Sequence, residues 1–244
     1  MAPSTRKGGQ NSKTRLKFHE KLAGKGLTTD ALLTRLKTLH TQLAALDQET
    51  VDTSSLNTTR SELINVSLLL HKDRGVKAYT ACCLADILRL YAPEAPYTEH
   101  ELRNIFQFFF RQLSAGFNGP DEPYFIEYFH LIESISTVKS VVLVCDLPSS
   151  DELIHEIFKD LFTIVKRNFT KKIELFMADI LVELIDESNS LPADALEVIM
   201  SQFVDSNAVR NPTLHLASKT SLFFPATRTT RLPTRGPSLQ RRCR

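Results

Sequence analysis

The sequence predicts an all-α fold, a solenoid of antiparallel helix pairs with disordered termini. Three observations carry that prediction. Apolar residues recur at helical spacing through most of the span 27–208. Helix-start signals precede them: Asp73, a Thr98-x-x-Glu101 capping box and a Ser149-x-x-Glu152 box. One pattern also occurs twice, since Val76, Ala81 and Leu84 share their offsets with Ile173, Ala178 and Leu181. The small Ala lets two helix backbones approach. Such pairs need neighbours to bury their apolar faces, which is the grammar of a HEAT-like array.

The elements follow in order. Residues 1–26 are polar, basic and glycine-containing, and are expected to be disordered. Thr29-Asp30 opens a helix with Leu32, Leu33, Leu36, Leu39, Leu43 and Leu46 at helical spacing. A turn through Asp52-Thr53-Ser54-Ser55 leads to a helix over 56–70, with Leu63, Val66, Ser67 and Leu70 on one stripe. The helix over 74–91 is apolar nearly all round, with Lys77, Thr80, Asp86 and Arg89 among its few polar positions. It is too short and too charged for a membrane, so it should be buried on several sides.

Ala92-Pro93-Glu94-Ala95-Pro96-Tyr97 then forms a stiff loop, because each proline fixes its own φ and restricts the residue before it. The loop presents one carboxylate and one phenol. On physics alone, a two-proline connector is more often only a connector. Thr98 opens a helix with Leu102, Ile105, Phe106, Phe109 and Leu113 on one face, widened by Phe108 and Phe110. A phenylalanine stripe at this spacing is core far more often than ligand pocket.

Residues 114–123 hold two glycines and two prolines and read as a loop. Residues 124–147 read as helix, broken near Thr137. Val141-Val142-Leu143-Val144 has no partner strand and is assigned to helix. Ser149 opens a helix with Leu153, Ile154, Ile157, Phe158, Leu161 and Ile164, and another spans 171–186. Leu191-Pro192 opens the last, with Leu196, Ile199, Met200 and Phe203 as its apolar face. Residues 209–244 lose the helical period, gain Pro212, Pro225, Pro233 and Pro237, and are expected to be a disordered basic tail. That change of character suggests a truncated or misread gene, with a genuine short isoform as the alternative.

The net charge of +2 conceals a segregation. Residues 1–25 carry seven Lys/Arg against Glu20 alone, and 210–244 carry eight Lys/Arg and no acid. The body between is strongly acidic, unlike a nucleic-acid-reading domain. Basic tails favour weak, salt-sensitive contact with DNA at most. Cys82, Cys83, Cys145 and Cys243 lack zinc-finger spacing and read as small buried hydrophobes in a reducing compartment.

Catalytic signatures do not appear. The eight glycines form no phosphate-cradling cluster, and there is no G-x-S-x-G elbow or H-E-x-x-H pair. His155-Glu156, His100-Glu101, His130 with Glu133 and His71 with Asp73 are isolated pairs. A catalytic site needs convergent groups. The chain is therefore read as no enzyme, with no cofactor, no metal, no membrane segment and no small-molecule substrate.

One block is more specific than any of these patterns. It runs from Lys72-Asp73-Arg74-Gly75-Val76-Lys77, through Ala81-Cys82-Cys83-Leu84-Ala85-Asp86-Ile87-Leu88-Arg89, to Ala92-Pro93-Glu94-Ala95-Pro96-Tyr97-Thr98. It resembles the most recognisable part of the sister chromatid cohesion proteins, the precocious-dissociation-of-sisters family of cohesin-associated HEAT-repeat regulators. Asp47-Gln48-Glu49-Thr50-Val51-Asp52, Leu131-Ile132-Glu133-Ser134-Ile135-Ser136-Thr137-Val138-Lys139-Ser140 and Met177-Ala178-Asp179-Ile180-Leu181 support the match, which runs from about Leu33 to about Val204. Family members are several times longer, so the resemblance is to their N-terminal end.

The resemblance implies a non-catalytic scaffold in the nucleus, associated with chromatin mainly indirectly, through cohesin. It implies as partners the cohesin complex, its release factor, that factor's antagonists and the cohesin acetyltransferase, bound through short peptide motifs. The protein-binding residues it implies are Lys72, Pro93, Glu94, Ala95, Pro96 and Tyr97. Family members often carry Asp where Glu94 stands, and their kleisin-binding part lies further along. A generic helical-repeat adaptor unrelated to cohesin, and a weak nucleic-acid binder acting through its tails, are the alternative readings.

Overall fold

The structure, a computed structural model, describes residues 13–204 except Lys25, Lys166, Asn168 and Asn189. The expected tail 209–244 lies outside the described residues. The helices are α1 (Thr29–Ala44), α2 (Asn57–Leu63), α3 (Val66–Leu69), α4 (Arg74–Tyr91), α5 (Glu99–Gly116), α6 (Phe125–Val138), α7 (Ser150–Val165), α8 (Lys171–Glu187) and α9 (Ala193–Val204). Short 3-10 turns occupy Thr53–Leu56 and Ser140–Val144. No helix among the described residues is long and apolar enough to cross a membrane.

Two rows of helices build the array. One runs α1, α4, α6, α8, each packed on the next; the other runs α5, α7, α9. Antiparallel neighbours such as α4 with α5 and α5 with α6 join the rows, and α2 and α3 lie against α4. This is the HEAT-like solenoid of helix pairs that the periodicity predicts. Asp73 caps α4 by accepting from the Val76 N–H at 2.8 Å. Inside α4, Val76, Ala81, Cys82, Cys83, Leu84 and Ile87 are all buried. Burial pushes both thiols well above their ordinary pKa, so they stay protonated and unreactive. On α5, Phe106 and Phe109 are buried and meet edge to face at 5.9 Å. Gly116 ends this helix directly beneath the buried Tyr128 ring, 2.4 Å from where a Cβ would stand.

Arginines tie successive pairs together. Arg89 on α4 donates to Leu43 O at 2.9 Å and Leu46 O at 3.1 Å, closing the C-terminus of α1. Arg167, after α7, does the same for α5, donating to Ser114 O at 3.0 Å and Phe117 O at 2.8 Å. In both places a cation from the following layer satisfies carbonyls that a helix end leaves open.

Several expectations are corrected. The segment 13–24 is packed: Leu16, Phe18 and Leu22 are buried in the core. Thr14 forms a parallel bridge with Val51, and the Leu22 N–H donates to Glu62 at 2.6 Å. Leu16 and Phe18 alternate with Arg15 and Lys17, the pattern of a half-buried extended segment. Burying each such side chain favours folding by ~1.5–3 kcal/mol before the chain-ordering cost. Deleting residues 1–24 is therefore expected to lower the melting temperature by several degrees, measurable by circular dichroism. An unchanged midpoint would show that the segment adds nothing.

The helix expected over 56–70 is broken at Ile64 and Asn65, where the Asn65 side chain caps α3. The proposed stripe fails with it. Leu63 is buried, but Val66 and Leu70 are 65% and 75% exposed, and the buried positions are instead Leu56, Thr59 and Leu68. The break after α6 falls at Lys139, in the left-handed region at φ 57°, and Val141–Val144 belong to a 3-10 turn. Ser149 also has positive φ, and the Glu152 carboxylate goes to Arg103 at 2.8 Å, where a capping box was expected. On α9, Leu196 and Met200 are exposed while Ala195 is buried; the Phe203 side chain lies outside the described part.

Candidate functional site

The proline loop leaves α4 at Ala92, whose N–H donates to Arg89 O at 3.4 Å. The Ala92–Pro93 peptide is cis. Three side chains from the segment before α4, and from α4 itself, anchor the loop base. Gln48 donates to Ala92 O and Arg60 donates to Pro96 O. Tyr91, the last residue of α4, donates its O–H to Thr53 O at 3.0 Å. The far end is closed by the capping box. Glu101 accepts from the Thr98 N–H at 2.8 Å, and the Thr98 hydroxyl accepts from the Glu101 N–H at 3.3 Å.

Between these anchors the side chains divide. Pro93 and Glu94 are exposed, Ala95 and Pro96 half-buried. The Glu94 carboxylate forms no ion pair among the described residues and faces solvent as an acceptor. Tyr97 points the other way. It is buried, and its O–H donates to Arg60 O at 3.3 Å. Burial pushes the phenol pKa far up, so it remains a protonated donor. Tyr97 therefore braces the loop from beneath; it does not offer the surface anchor that its type suggests.

Lys72 is not part of this surface. It precedes the N-terminus of α4, while 92–97 follow its C-terminus. Eighteen helical residues place those ends roughly 27 Å apart. The six candidate residues thus resolve into an exposed pair, Pro93 and Glu94, a half-buried pair, Ala95 and Pro96, a buried brace, Tyr97, and a remote lysine. Sequence reading missed Gln48 and Arg60. Both are polar residues in a region otherwise set by leucines, and nothing local tells that their partners lie 44 and 36 residues ahead.

Comparison with known proteins bears on the same elements. The family model described as "Sister chromatid cohesion protein PDS5 protein" matches residues 30–220. The chain belongs to the PDS5 family. It is 40% identical over 184 residues to sister chromatid cohesion protein pds5 of Schizosaccharomyces pombe, covering 75% of this chain and 15% of that protein. It is 40% identical over 200 residues to PDS5 of Saccharomyces cerevisiae, covering 80% and 15%. It is 32% identical over 183 residues to human PDS5 homolog A, covering 74% and 14%. Among solved structures, a chain from "Structure of the Pds5-Scc1 complex and implications for cohesin function" superposes with a TM-score of 0.74 at 39% identity. That match covers 80% of this chain and 29% of the other. The chain thus spans about one seventh of the curated PDS5 proteins it matches.

Proposed function

We propose that this PDS5-family chain is a non-catalytic scaffold in sister chromatid cohesion that presents its proline loop to short peptide segments of cohesin regulators. The observation that carries the reading is the loop's construction. Both ends are fixed by hydrogen bonds to Gln48, Arg60 and Glu101, while Pro93 and Glu94 stand in solvent. A loop ordered in advance loses little entropy on binding, so its contacts convert more fully into affinity. Glu94 suits a lysine or arginine of an incoming peptide, because a charge-assisted hydrogen bond is about twice as strong as a neutral one.

The partners proposed are the cohesin complex, its release factor, that factor's antagonists and the acetyltransferase, with the chain in the nucleus and on chromatin through cohesin. The Pds5–Scc1 complex in the solved relative supports cohesin as the setting. The acidic body and the brace role of Tyr97 narrow the loop's ligand to a basic, extended peptide. In a titration of the full chain with basic peptides from the release factor, Glu94→Lys is expected to weaken binding at least ~10-fold, about 1.4 kcal/mol. The circular dichroism melt should be unchanged, because Glu94 is exposed. Equal affinities for the wild type and Glu94→Lys would reduce the loop to a connector.

A further inference from the structure

A buried polar cluster lies behind α4, away from the proline loop. Asp86 is only 1% exposed, yet it is a carboxylate on α4, the helix packed between α1 and α6. His40 comes to it from α1, with Nδ1 at 2.9 Å from Oδ2. His130 comes from α6, with Nε2 at 3.5 Å from Oδ1. The two rings meet edge to face at 4.7 Å. Three helices of one row therefore converge on one carboxylate.

We propose that His40, Asp86 and His130 form a site for a single zinc-class divalent cation. The three ligand atoms lie within 4.8 Å of one another. The two imidazole nitrogens face different oxygens of one carboxylate, at 2.9 and 3.5 Å, close to the roughly 3.3 Å that separates two ligands held ~2.0–2.1 Å from a tetrahedral ion. His130 Nε2 is the second observation. It is shut off from water and has no hydrogen-bond partner of normal geometry. A buried ring nitrogen left this way is costly, and coordination would satisfy it.

The donor set also selects the ion. Two imidazoles and one carboxylate suit zinc, whereas calcium and magnesium require several oxygens. The His40 and His130 side chains are 19% and 31% exposed, so the outer edges of both rings reach the surface, and a water entering with the ion would be its fourth ligand. Arg89 is the competing cation, with Nη2 at 3.4 Å from Asp86 Oδ1. Its shorter bonds go to Leu43 O and Leu46 O, so it keeps its own place when Asp86 turns to a metal.

The test uses the full chain, stripped with chelator and titrated with zinc chloride or magnesium chloride against a chromophoric indicator. One zinc per chain is expected, with no magnesium uptake. His130→Gln should weaken zinc binding at least ~10-fold, and His155→Gln, on α7, should not. Cobalt(II) should give the intense visible bands of a tetrahedral nitrogen–oxygen site. If His130→Gln fails to fold, the cobalt spectrum of the wild-type chain decides, and a six-coordinate spectrum overturns the site. No zinc uptake, equal uptake of magnesium, or undiminished binding by His130→Gln would each overturn it. Asp86 would then be simply hydrogen-bonded by its neighbours.

Discussion

Replacing Phe109 with alanine is expected to lower folding stability by about 3–5 kcal/mol, the usual cost of emptying a buried phenylalanine site. Phe109 is fully buried on α5, edge to face with Phe106 and close to Phe108. The helix that carries it, α5, packs against α7 and against α4 and α6, and a helix held by so many neighbours moves little to fill a void. Urea denaturation followed at the helical signal should show an earlier midpoint with little change in slope. In a domain of this size each kcal/mol moves the melting temperature by about 2–4 °C, so a thermal scan resolves the effect as well. A shift below 1 kcal/mol would mean that the α5 face does not face the core.

An effect of similar size is expected at Asp86. Removing one member of a buried charge cluster leaves the others without compensation, typically at ~3–5 kcal/mol. Asp86→Ala strands Arg89 and His40, which now share the carboxylate at 3.4 and 2.9 Å. Burial alone would raise the Asp86 pKa, but His130 and His40 outweigh it and hold the carboxyl below its ordinary value. The group is therefore charged at neutral pH, and its loss is the loss of a charge. Asp86→Asn keeps the shape and one acceptor, and should cost less than Asp86→Ala. Urea midpoints of the two variants, measured in chelator, check both the size and the order. Equal midpoints for wild type and Asp86→Ala would show that the cluster does not staple α1, α4 and α6.

What the sequence made legible follows from how local each signal is. The bounds of α4, its Asp73 cap and the Thr98–Glu101 box depend on residues three or four apart, and each was readable. So was the buried face of α5, because five large apolar side chains repeat at one period. The stripe assigned to Leu63, Val66 and Leu70 failed because Asn65 caps a new turn, and one local break rotates every later position. Leu196 and Met200 on α9 met a similar fate, since an apolar period shows which residues share a face but not which face is covered. The His40–Asp86–His130 cluster was invisible for a different reason. Its members are 46 and 44 residues apart, and only the packing of three helices brings them together. The same holds for Arg89 and Arg167, whose acceptors lie one helix pair back along the chain.

Lys72 and Glu94 stand at opposite ends of α4, and for a peptide bound as proposed above that spacing would act as a ruler. An extended peptide advances at most ~3.3–3.6 Å per residue, so roughly eight residues are needed to run from one end of α4 to the other. On that proposal, a ligand shorter than this would meet either the lysine end or the carboxylate end and be blind to the second. A longer one, carrying an acid at one end and a base at the other, would be read for polarity as well as for length, and could lie along the array in one direction only.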